Sequence, residues 1–102
     1  MSDNQIEVPP SFLALYATPS GLRLTEPMDV VRARYELCED LAQMLTDQAS
    51  TAQFKSGAPE ETVLRTLRDG LLTEGSPVQA KEANWVVQRL AELLQWEAPA
   101  PD

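Results

Sequence analysis

Histidine is absent from this 102-residue chain, and cysteine occurs once, at Cys38. The first absence removes the commonest general base and the commonest transition-metal ligand together. The second excludes an intramolecular disulfide. Glycine is scarce and scattered: Gly21, Gly57, Gly70 and Gly75 stand alone, and none is followed by lysine. Neither G-x-x-x-x-G-K-[ST] nor G-x-G-x-x-G can be drawn, which excludes a self-contained phosphate-binding loop of either type. Basic residues are few, eight against sixteen acids, for a net charge of −8. Phosphate backbones and anionic membrane surfaces are bound chiefly through Lys and Arg, so neither nucleic acid nor a membrane is an expected partner. No apolar run approaches the roughly 20 residues of a membrane span. The opening "MSDNQIEV" is acidic and polar with no apolar core, and a cytoplasmic location is the expectation.

What remains is ordinary for a globular protein, with 43% apolar and 24% charged residues. The length suits one domain, expected over residues 9–96 between loose ends at 1–8 and 97–102. The periodicity is helical throughout. Val31, Tyr35, Cys38, Ala42, Leu45, Ala49 and Ala52 recur at spacings of four and three, widened by Leu37, Leu41 and Met44. This predicts a helix over 27–54, with Thr25 as N-cap, Pro27 and Asp29 in the first turn and Gly57 as the stop. Pro59, Glu60 and Glu61 open a second helix over 59–72, buried through Val63, Leu64, Leu67 and Leu71. Gly70 either sits inside its last turn or caps it. Ser76, Pro77 and Gln79 match a capping box and predict a third helix over 77–95, with Ala80, Ala83, Val87, Leu90 and Leu94 as its core stripe, widened by Val86 and Leu93. No alternating run marks a strand. The fold class expected is all-α, a three-helix bundle preceded by a short helical turn over 10–17.

Two apolar features fall outside that scheme. "EVPPSFLALYATPSGLRLTEP" is apolar but broken by proline and glycine, and Phe12, Leu15 and Tyr16 share one face of its helical turn. At 100° per residue Trp85 and Trp96 line up on the last helix, with Val78, Arg89 and Glu92, roughly opposite the core stripe. The opening segment folding back over this ridge is one reading. A contact surface for another protein or for a second copy is the other, since Trp, Tyr and Arg are enriched at interfaces. Phe12, Leu15, Tyr16, Trp85, Arg89 and Trp96 are therefore the candidate partner-binding residues.

Catalytic chemistry finds no constellation. Cys38 lies on the core stripe with no histidine to activate it, and no serine sits in a G-x-S-x-G elbow. Glu36, Glu39 and Asp40 carry oxygen ligands at spacings suited to a hard cation, but with Arg32 four residues before Glu36 they read better as a solvated face. Neither a cofactor nor a resident metal is expected.

"PPSFLALY", "ARYELCEDLAQML" and "NWVVQRLAELLQW", about a third of the chain, resemble a family of small uncharacterised bacterial proteins, some of which carry the label "ATPase with chaperone activity". With no Walker motif in this chain, the resemblance implies at most an accessory factor of a chaperone-type ATPase. It supplies no site residue. The expected function is a non-enzymatic protein–protein interaction module, an adaptor, regulator or accessory subunit. A small-ligand or divalent-metal-binding helical protein is the alternative.

Overall fold

A computed structural model describes residues 7–99. The fold is all-α: among the described residues there are four α-helices and no strand. They are α1 (Pro10–Leu13), continued by a 3-10 turn over Ala14–Tyr16, then α2 (Met28–Ser56), α3 (Glu60–Leu71) and α4 (Ala80–Leu94). Contacts divide the chain into two compact units, residues 1–37 and 38–102.

In the first unit, Pro9 and Pro10 start a helix without a side-chain cap, because proline's missing N–H costs nothing in a first turn. The turn buries Phe12 and Tyr16, whose rings lie 5.8 Å apart. Phe12 also meets Tyr35 edge-on, with centroids 5.6 Å apart. Gly21, at φ 77°, then reverses the chain. Its N–H donates to Thr18 O, and Thr18 N and Thr25 N donate to Arg23 O and Tyr16 O, closing the loop around the single bridge Ala17–Leu24. The helix α2 begins at Met28, three residues past Thr25, which is therefore too far upstream for its hydroxyl to act as N-cap; Pro27 supplies the start instead, its carbonyl accepting the N–H groups of Val30 and Val31. The predicted Thr25 cap is corrected accordingly. The loose segment expected over 1–8 falls mostly on residues outside the described ones, although Val8 is buried.

In the second unit, Ala49 of α2, Val63 and Leu64 of α3, and Val87, Leu90 and Ala91 of α4 form the buried core. Leu45, Leu67, Leu71 and Leu94 pack against it. Gly57, at φ 69°, stops α2 as expected, and its N–H donates to Gln53 O. Leu37 and Met44 do not widen the buried stripe of α2. They are exposed, Met44 by 74%, because they lie roughly 120–160° round the helix from Val31, Ala42 and Ala49. Gly70 lies inside the last turn of α3, whose carbonyl end is closed by Leu72 N donating to Arg68 O and Asp69 O.

The start of α4 differs from the sequence reading by one turn. The capping box is Gln79 with Glu82, not Ser76 with Gln79: Glu82 Oε1 accepts the Gln79 N–H at 2.9 Å, and the Gln79 side chain accepts the N–H of Glu82. The Ser76 hydroxyl accepts the N–H of Val78 in the preceding loop. Glu82 is fully buried, so this box is also a piece of the interior.

The end of α4 carries a larger correction. Gln95 takes the left-handed conformation (φ 60°, ψ 38°). Its N–H donates to Glu92 O and that of Trp96 to Ala91 O, the hydrogen-bond pair of a Schellman ending. Trp96 therefore leaves the helical phase and packs against the core cluster. Ala98 follows it, and Gln88 Nε2 donates to Pro99 O at 3.3 Å, so the loose end expected from Glu97 does not begin there. Residues 100–102 lie outside the described ones. A non-glycine residue in this conformation costs roughly 1–2 kcal/mol, partly offset in a glycine variant by its unfolded-chain entropy. Gln95→Gly is expected to raise Tm by a few degrees in a calorimetric scan.

Candidate functional site

The residues picked out for partner binding do not form one open surface. Phe12, Tyr16 and Trp85 are buried, Leu15 is half-buried, and Trp96 packs on the core. The Trp85/Trp96 ridge dissolves because Gln95 breaks the helical phase that would have aligned the two indoles.

Arg89 is committed to an ion-pair network. Its Nε donates to Glu39 Oε1 at 2.8 Å and its Nη2 to Glu39 Oε2 at 3.1 Å, a bidentate pairing between α4 and α2. Nη1 reaches Glu92 Oε1 at 3.1 Å, and Gln43 Nε2 donates to Glu39 Oε2 at 2.9 Å. Glu39 thus spends its oxygens on protein donors, while Glu36 and Asp40 stay exposed. Among the described residues no group of three or more potential ligands could hold a metal ion. Arg32, expected beside Glu36, makes no hydrogen bond through its buried Nε among the described residues.

The Arg89 hydrogen bonds hold the Glu39 carboxyl below its ordinary value of 4.5, and Glu39 in turn raises the Arg89 guanidinium. A depressed carboxyl pKa contributes stability that is present above the unfolded value and lost as pH falls through the folded one. For this partly exposed pair the contribution is about 1 kcal/mol. Wild type is expected to exceed Glu39→Gln in urea-unfolding free energy at pH 7, with the gap closing below pH 4.5.

An open feature of the second unit with a largely apolar floor lies on the shoulder where α2 ends and α3 begins. A groove of about 510 Å³ is lined on one side by Gln48, Ala52, Lys55 and Ser56, and on the other by Thr62, Val63, Thr66 and Leu67, with Ala58 at its base. Its walls form because Gly57 turns the chain sharply between the helices and because the side chains are small. Most of the lining is exposed; its floor is formed by the buried core residue Val63 and by the half-buried Ala58 and Leu67, which pack against the core. Met44 stands one turn before Gln48 and extends the same shoulder toward the start of α2. From Met44 to Lys55 this wall is roughly 16 Å long, about three helical turns.

None of the groove residues was singled out by the sequence reading for binding, although Ala52 was placed on the α2 stripe. The available signal was weak: alanine recurs late in α2, and Thr62 and Thr66 give α3 a second face of small residues.

Comparison with known proteins matches the chain to no family model, no curated protein and no solved structure. No described helix is long and apolar enough to cross a membrane.

Proposed function

We propose that this chain is a non-enzymatic protein–protein interaction module, an adaptor, regulator or accessory subunit, and that the α2/α3 groove is its contact surface. The observation that carries the reading is the groove itself: an apolar concavity between two helices, floored by Val63 and Leu67, walled by small side chains and extended by the exposed Met44. Exposed apolar concavities of this kind are where partner side chains gain most from leaving water.

A photo-crosslinking amino acid at Gln48, in the groove wall, tests this in the cells that make the protein. A second at the exposed Glu74 is the control. The expected outcome is a discrete protein adduct from position 48 and none of that mass from position 74. Equal adducts from both positions, or none from 48, would contradict it.

A further inference from the structure

The geometry points to one class of occupant for the groove: an amphipathic helix with basic flanks, contributed by another protein. This inference rests on the reading of the groove as a contact surface and adds the chemistry of what fills it.

Shape comes first. The groove is bounded by two helices, and its lining on α2, from Gln48 to Ser56, runs for about two turns, which suits a helix presenting apolar anchors at i, i+3 or i+4, and i+7. An extended strand would find no sheet edge here to hydrogen-bond, since the backbone groups of both walls are spent within α2 and α3. The walls suit close helix approach: Ala52, Ser56, Ala58, Thr62 and Thr66 offer little bulk, and Gly70 continues the Thr62–Thr66 line by one more turn with open space above its Cα.

Charge decides the flanks. The lining itself holds a single ionisable side chain, Lys55, at the end of α2. Outside the lining carboxylates predominate, and the exposed base of α3, Arg65, is paired with Glu61 Oε2 at 2.9 Å. Asp69 follows Thr66 by three residues along the outer edge of α3, and the exposed Asp40 and Asp47 lie on the solvent side of the α2 wall. Residues 38–102 carry eleven acids and five bases. A helix seated apolar side down would bring its flanking positions against these carboxylates. Lysine and arginine there are attracted and speed the encounter, whereas acids are repelled. The same argument disfavours a second copy, because each chain carries −8.

The test uses the full chain, isotopically labelled, and two synthetic peptides of about eighteen residues with the same leucine stripe, one with lysine flanks and one with glutamate flanks. The lysine peptide is expected to shift the amide signals of Gln48, Ala52, Thr62 and Thr66. Its affinity should fall with salt and exceed that of the glutamate peptide by about tenfold or more. Ala52→Trp, which fills the groove from an exposed position, should weaken it by a similar factor with the remaining spectrum intact.

Lysine-peptide shifts spread over the acidic surface and unaffected by Ala52→Trp would overturn the proposal. So would equal binding of both peptides, or the same shifts produced by raising protein concentration alone, which would identify a second copy as the occupant. If position 48 crosslinks a partner in cells while the lysine peptide ignores the groove, the basic-helix class is wrong and the interaction reading stands. If neither occurs, both fall.

Discussion

Replacing Phe12 by alanine lowers the free energy of unfolding by about 3–4 kcal/mol, the largest loss expected from any single residue of the first unit. The side chain is fully buried and its ring meets two others, Tyr16 and Tyr35. Truncation removes the apolar transfer term, opens a cavity, and strips both tyrosines of an aromatic partner, each such pair adding about 0.5–1.5 kcal/mol beyond area burial. The turn cannot collapse easily onto the space, since Pro9 and Pro10 restrict the chain just before it and the Ala17–Leu24 bridge ties it just after. Urea unfolding followed by far-UV circular dichroism gives the free energy, and the near-UV tyrosine signal reports whether the two rings lose their fixed packing. Phe12→Leu, which keeps most of the volume, should cost roughly 1–2 kcal/mol. A loss under 1 kcal/mol for the alanine variant would mean that the aromatic cluster does not hold the opening segment.

Leu90→Ala is the corresponding experiment in the second unit, with an expected loss of about 2.5–4 kcal/mol. Leu90 is fully buried in the cluster that joins α3 and α4 with Ala49 of α2. Its neighbours Ala49 and Ala91 are too small to lean into the vacated volume, which places the cost above the minimum for such a change. Met44→Ala supplies the contrast: an exposed side chain on the groove shoulder, expected to move stability by no more than about 0.5 kcal/mol. A Met44 variant that destabilises as much as Leu90→Ala would show that the groove shoulder is structural and not an open surface.

Much of the helical pattern was legible because local chemistry and tertiary packing agree. Proline and glycine punctuate α3 and the end of α2 so strongly that their limits move by only a residue or two between expectation and structure. The start of α4 was less secure because two boxes overlap in "SPVQAKE": Ser76 with Gln79, and Gln79 with Glu82. Both satisfy the spacing, and burial of Glu82 selects the second. The end of α4 was hidden for a different reason. Glutamine gives no warning of a left-handed residue, a place where glycine or asparagine is the usual signal, so Trp96 was carried one residue too far in helical phase.

The groove is not legible in the sequence because hydropathy periodicity measures how apolar a face is, not whether anything covers it. Ala52, Thr62 and Thr66 contribute little to such a pattern, and the late part of α2 reads as a fading stripe. Its meaning depends on α3 turning back beside it at Gly57, a tertiary fact. Conversely, the aromatic residues that drew attention in the sequence are spent on packing: Phe12, Tyr16 and Trp85 are buried and Trp96 lies on the core.

The most direct test of the groove as a contact surface compares crosslinking from position 48 in the otherwise natural chain and in one that also carries Ala52→Trp. Circular dichroism of the two purified proteins would establish that both are equally folded. Loss of the position-48 adduct by about tenfold or more in the filled-groove chain is the predicted result. An adduct of unchanged mass and yield would contradict the account, because a partner indifferent to an indole in the groove is not bound there.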